Sequence, residues 1–211
     1  MRAALGAAIA VTVLGASLQA HRLDEYLQAA RLSLTPHQVL LELDLTPGVA
    51  VAPGIIALVD RDNDRTISPV EARAYGEAAL SELTVAIDGR PVRVSLDSVE
   101  VPSSGELRHG VGTIQLRASG PVARLAGAGH QMTFRNDHHP ENSVYLVNAL
   151  RSGDPAIRVV SQHRDSLQRE ARIEYAIASP SPIRWFWLFA AAAVCFHRPI
   201  TARLRRHAAS L

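Results

Sequence analysis

Twelve residues in the first third of the chain constrain its local backbone more than any other stretch: Asp60-Arg61-Asp62-Asn63-Asp64-Arg65-Thr66-Ile67-Ser68-Pro69-Val70-Glu71. Three aspartates alternate with other residues, a hydroxyl side chain follows at the ninth position and a glutamate at the twelfth. Three carboxylates this close repel one another unless a cation or hydrogen-bond donors sit among them. Calcium is a hard cation that takes six to eight oxygens at roughly 2.3–2.6 Å, so a short loop that binds it must turn its first, third and fifth side chains inward together. Asp60, Asp62 and Asp64 occupy those positions. Thr66 would supply a backbone carbonyl, Ser68 a direct or water-mediated oxygen, and Glu71 a bidentate closing carboxylate.

The pattern resembles an EF-hand calcium loop, with aliphatic Ile67 at the eighth position. One residue departs from it. The sixth position turns sharply and favours glycine; Arg65 in a left-handed conformation costs on the order of 1 kcal/mol and brings a cation near the metal. A weak site is expected, roughly 10⁻⁴–10⁻³ M as in extracellular modules. The same residues also spell a capped helix start. Ser68-Pro69-Val70-Glu71 is a capping box with serine at the N-cap and proline at the first helical position, and it accounts for Ser68 and Glu71 without a metal. It leaves the three aspartates unexplained.

The two ends of the chain are apolar. Residues 1–20 carry Arg2, a run of small and aliphatic residues and a closing Gln19-Ala20, the layout of an export signal, so His21 is the expected first residue of the mature protein. Leu18 is large for the position three residues before the cut, which leaves an uncleaved N-terminal anchor open. Near the other end, Ser179-Pro180-Ser181-Pro182 reads as a linker, and residues 183–199 as a transmembrane anchor with Trp185 and Trp187 at the outer interface. Fourteen helical residues rise only ~21 Å against a hydrocarbon core of ~30 Å, so a crossing needs snorkelling ends or local thinning. A buried or surface helix is the alternative, and the arginines of the tail, residues 200–211, favour a cytoplasmic end.

Charge follows this layout. Every basic residue is an arginine; residues 21–182 hold sixteen of them against all twenty acids, a net of −4, and the five from residue 183 onward plus Arg2 make the whole chain +2. A nucleic-acid partner is not expected, because the basic excess lies outside the folded part. The single cysteine, Cys195, excludes a disulfide framework. Some 160 residues suffice for one domain.

That domain, residues 21–178, reads as mostly β, an antiparallel β-sandwich-like fold with an EF-hand helix-loop-helix inserted at about residues 53–83. Strands are expected at 27–34 and 39–45, joined as a hairpin through Thr35-Pro36-His37-Gln38, and at 84–87 and 92–101 around Asp88-Gly89-Arg90-Pro91. Further strands are expected at 112–118, 130–135, 145–150, 157–163 and 171–177. Helices are expected at 53–59 and from 69 to about 83.

Histidine offers a second chemistry. Asn136-Asp137-His138-His139-Pro140-Glu141-Asn142 concentrates imidazoles and carboxylates, and an N-terminal His21 would present an amine beside an imidazole, a chelate for copper or nickel if His21, His138 and His139 meet in space. Paired histidines in a polar loop otherwise serve as solvated or hydrogen-bonding groups. Catalysis is not expected, since no G-x-S-x-G, H-E-x-x-H or phosphate-cradling glycine loop is present.

Ala20-His21-Arg22-Leu23, the hairpin, the acidic loop and its helix, and Leu83-Thr84-Val85 leading to Asp88-Gly89-Arg90-Pro91 together resemble the extracytoplasmic β-domain that precedes the membrane part of bacterial nickel/cobalt transporter-type proteins. Small single-anchor proteins share that exterior domain. The resemblance covers roughly residues 20–177. The multi-helix transport region and its histidine motif are missing, so the resemblance implies an accessory role beside a membrane transporter at the periplasmic face of the inner membrane. Adhesion or assembly with another protein partner is the remaining possibility.

Overall fold

The computed structural model describes residues 24–122, 127–149 and 154–178. The expected export signal, His21, the linker 179–182, the anchor 183–199 and the arginine tail lie outside the described residues. Among the described residues, no helix is long and apolar enough to cross a membrane.

The chain begins with the expected hairpin, β1 (Tyr26–Leu34) and β2 (Gln38–Pro47), antiparallel with Leu34 opposite Val39. Thr35 closes it locally: its Oγ1 accepts from the backbone N–H of Gln38 at 3.0 Å and of His37 at 3.3 Å. Strict alternation then sorts the two faces. Leu32 and Leu34 on β1 and Val39, Leu41, Leu43 and Leu45 on β2 point into the core. On the outer face Arg31 reaches across to Glu42 at 2.9 Å and Asp44 at 2.8 Å.

Two helices follow, α1 (Ala52–Val59) and α2 (Pro69–Ser81), separated by the acidic loop. The chain continues through β3 (Leu83–Ile87), β4 (Arg90–Pro91), β5 (Ser95–Glu100), a short α3 (Ser104–Arg108), β6 (Ile114–Pro121), β7 (Gly127–Asn136), β8 (Ser143–Ala149), β9 (Ile157–Arg164) and β10 (Glu170–Ile177). These strands make two five-stranded sheets, in the orders β5-β6-β2-β1-β8 and β4-β3-β7-β10-β9. The protein is thus mostly β and its pairing mostly antiparallel. Residues from both sheets and both longer helices enter one hydrophobic cluster, including Leu43, Leu116, Phe134, Ile173, Ile55 and Tyr75.

Three features depart from the sequence expectation. Asp88-Gly89 does turn the chain, with φ of 49° and 75° as a tight I′-type hairpin requires, but only Ala86–Pro91 and Ile87–Arg90 pair across it. The chain then crosses to the other sheet, where β5 pairs with β6 and Leu96 is buried under α2. Gly120 makes room for the crossing, since a Cβ there would lie 2.7 Å from the Arg93 carbonyl oxygen. Secondly, β8 runs parallel to β1, Tyr26 opposite Ser143 and Leu32 opposite Ala149, where an antiparallel arrangement was expected. Thirdly, α3 falls between the strands expected at 92–101 and 112–118, where no element was expected. Ser103 and Glu106 cap it reciprocally and Leu107 is fully buried beneath it.

The outer edge of β8 is covered by side chains of β9: Gln162 bonds both backbone groups of Ala149, and Arg164 donates to the Val147 carbonyl and Asn148. An edge dressed this way presents few free backbone groups to another chain.

Leu43 sits fully buried in β2, the middle strand of its sheet. Truncation of Leu43 to Ala is expected to cost about 2–5 kcal/mol, because it removes transfer free energy and leaves a cavity. Chemical denaturation checks this, and a loss under about 1 kcal/mol would show that this position is not packed as described.

Candidate metal centre and the polar network behind it

The acidic loop begins where α1 ends. The Asp60 N–H bonds the Ile56 carbonyl at 2.8 Å, closing the last turn, and the Asp60 side chain is almost fully buried. Its two carboxylate oxygens accept from the backbone N–H of Asp64 at 3.2 Å and of Arg65 at 3.0 Å. Asp62 also accepts from Asp64 N–H at 3.1 Å, and Asp64 accepts from Thr66 N–H at 2.7 Å. Backbone donors therefore converge on the carboxylates and fold the loop tightly around them. Asn63 and Arg65 take φ of 59° and 71°. Arg65 adopts the left-handed conformation that its place in the loop demands, against a steric cost of about 1–2 kcal/mol.

Glu71 closes the loop from the first turn of α2. Ser68 is the N-cap, and the capping box forms in full: Glu71 N–H donates to Ser68 Oγ at 3.3 Å, while Glu71 Oε2 accepts from Ser68 N–H at 2.9 Å and from its hydroxyl at 2.7 Å. The other oxygen, Oε1, reaches back to the N–H of Arg61 at 2.8 Å and of Asp62 at 3.4 Å. The Ser68 hydroxyl, the Ser68 N–H and then the Arg61 and Asp62 N–H groups pull the Glu71 carboxyl down to about 2, so it stays ionised. The capped helix start and the acidic loop share Ser68 and Glu71.

Of the six expected ligands, three come together: an oxygen each from Asp60, Asp62 and Glu71 lie within 4.8 Å of one another. Ser68 adjoins them through its bond to Glu71. The Asp64 carboxylate turns to the Thr66 N–H, and Thr66 is exposed. An all-oxygen set with carboxylates at its first, third and last positions suits a hard divalent cation better than copper or nickel.

The histidines lie elsewhere and are already occupied. His138 is buried, its Nδ1 2.7 Å from Glu82 Oε2 and its Nε2 3.2 Å from the Tyr75 hydroxyl, which is itself 2.6 Å from the Tyr26 hydroxyl. With the Glu82 carboxylate as acceptor, Nδ1–H donates to it and Nε2 accepts from Tyr75, which in turn accepts from Tyr26. The His138 backbone is held too: its carbonyl accepts from Gln28 Nε2 at 2.7 Å and Tyr145 O–H at 2.8 Å, and its N–H donates to Asn136. Asn136 Nδ2 completes the ring by donating to Gln28 Oε1. His139 lies edge-on to His138, ring centres 4.4 Å apart, with its Nδ1 3.2 Å from Glu141. A metal at His138 would have to displace Glu82 or Tyr75. Whether His21 joins the pair falls outside the described residues.

Gln28, Tyr26, Tyr75 and Glu82 were not anticipated as site residues. A signal for Gln28 existed: it is a polar residue at an inward-facing position of β1, where alternation calls for an apolar one. A polar group buried there needs partners, and it finds them in the 136–143 loop.

Burial lowers the tendency of His138 to protonate, with Glu82 opposing that shift and the neighbouring His139 reinforcing it. Burial also raises Tyr75 to about 12 and Tyr26 well above its ordinary value, so all three stay neutral near pH 7.

Scans against models of protein families, curated proteins and solved structures each found no match.

Because folded His138 resists protonation, the unfolded chain binds the extra proton first as pH falls below the ordinary histidine value of 6.5. Stability is expected to be full above that value and to decline as the pH drops toward the lowered folded value. His138→Asn is expected to lower stability at pH 7.5 and to flatten this decline between pH 7 and 5. Urea melts across that range decide it; an unchanged slope in the variant would show that another group governs the titration.

Proposed function

We propose that this chain is an exported, membrane-anchored calcium-binding protein of the EF-hand type, non-catalytic, whose bound ion serves the fold. The observation that carries the reading is the convergence of Asp60, Asp62 and Glu71 at one point of a loop whose sixth residue, Arg65, accepts a left-handed backbone. Donor chemistry supports calcium among the divalent cations: carboxylates at the first, third and twelfth positions, with Asp64, Thr66 and Ser68 at the fifth, seventh and ninth. In this reading the fold is a β-sandwich carrying an inserted helix-loop-helix.

The layout of α2 supports a structural role for the ion. Glu71, at its start, belongs to the loop; Tyr75, one turn on, and Glu82, just past its end, belong to the buried network that reaches β1 and the β7–β8 connection. An ion that fixes Glu71 holds the start of a helix whose far end is already fixed. Sensor EF-hands work by opening a helix pair to expose a groove, whereas here one loop is clamped between helices that pack on the sheets.

The sequence supports the rest of the proposal. The apolar ends support a location on the periplasmic face of a bacterial inner membrane, with the 183–199 segment as anchor, and the resemblance to the exterior domain of nickel/cobalt transporter-type proteins supports a membrane transporter as its partner.

Calcium at about one hundred times its dissociation constant adds about 2.7 kcal/mol of stability, which for a domain this size corresponds to a rise in melting temperature on the order of 5–10 °C. Asp60→Ala combined with Glu71→Ala is expected to abolish the rise. Differential scanning calorimetry with calcium and with chelator reads both, and equal calcium responses in the two proteins would refute the assignment.

A further inference from the structure

A cavity of about 530 Å³, within the range of small-molecule sites, is lined by α1 and the β7–β8 connection, and none of the acidic loop's residues line it. Val51, Ile55 and Leu58 give it an apolar wall, and Leu58 is nearly half exposed within it. His139, Glu141 and Asp24 also line it. Among the described residues, the lining holds two carboxylates and no arginine.

Gly54 belongs to the same lining. It lies in the first turn of α1. Packing gives no reason for it: a Cβ built at Gly54 would meet nothing within 4 Å, and no positive φ requires it. What the missing side chain does is leave the helix wall bare where it faces the cavity. Glu141 adds charge, because its own backbone N–H and the His139 imidazole hold its carboxyl below the ordinary range.

We propose that this cavity binds a small amphipathic organic cation, an amine or amidine on a short apolar or aromatic body. The ammonium group would face Asp24 and Glu141, and the body would lie along Val51, Gly54, Ile55 and Leu58. Charge complementarity selects the head group: an anion meets two carboxylates, and a neutral isostere lacks the charge they attract. The site uses none of Asp60, Asp62 or Glu71, so amine binding and the calcium response stand or fall separately.

Titration of the full chain with phenethylammonium, 2-phenylethanol and phenylacetate, followed by amide and methyl NMR shifts, tests it. The cation is expected to shift residues 51–58 and 139–142 and to bind about tenfold more tightly than the alcohol, with no binding of the carboxylate. Gly54→Trp is expected to abolish binding by filling the cavity. Asp24→Asn with Glu141→Gln, both on exposed residues, is expected to reduce the cation to the affinity of the alcohol. Equal affinities for cation and alcohol, shifts confined to other residues, or no binding of phenethylammonium at about 10 mM would overturn the proposal.

Discussion

Helix α2 is tied down at both ends by polar groups, and the arrangement of the molecule depends on that double attachment. At its start, Glu71 gathers four donors, from Ser68, Arg61 and Asp62, and so joins the helix to the acidic loop. Beyond its end, Glu82 holds His138, which passes the connection through Tyr75 to Tyr26 on β1. Between these anchors α2 lies close on β5 and β6: a Cβ at Gly76 would come within about 3 Å of Leu96 and Leu116. Shape and polarity thus act together. The glycine lets the helix approach, and the two polar ends fix where along the sheet it rests.

The buried network has its own logic. Tyr26, Gln28, Asn136 and His138 are all withdrawn from water, which costs free energy unless every donor and acceptor is met. Here they meet one another. Gln28 donates to the His138 carbonyl and accepts from Asn136, and the ring nitrogens of His138 take one donor and one acceptor role. A fully satisfied network of this kind rigidifies a core, and it fixes the β7–β8 connection where β8 must turn parallel to β1. The same connection carries His139 and Glu141 to the cavity on α1.

Local signals in the sequence revealed local structure well. The hairpin of β1 and β2 follows from alternation and from Thr35, and the start of α2 from its capping box. The left-handed turn at Arg65 follows from its place among the aspartates. Partnerships set by distant contacts were not legible. The turn at Asp88-Gly89 looks the same whether the following strand stays or leaves, and it leaves because Leu96 finds burial under α2 and Gly120 opens the way. Nothing in residues 143–149 states that they will lie parallel to β1, since side-chain alternation is identical in either direction. The histidine pair drew attention as a chelate, yet its chemistry is decided by Glu82 and Tyr75, more than fifty residues earlier in the chain. Of the six loop ligands the spacing implied, the three carboxylates at positions one, three and twelve converge, while Asp64 turns to a backbone N–H.

The central claim is that this loop closes around a divalent cation that prefers oxygen. Isothermal titration calorimetry of the metal-free full chain with calcium measures it most directly. The expected result is saturable binding of one ion per chain, with a dissociation constant of roughly 10⁻⁴–10⁻³ M and no comparable heat from nickel or copper at these residues. The absence of any binding heat at calcium concentrations of about 10 mM would contradict it, and would leave the loop a capped helix start held by backbone hydrogen bonds alone.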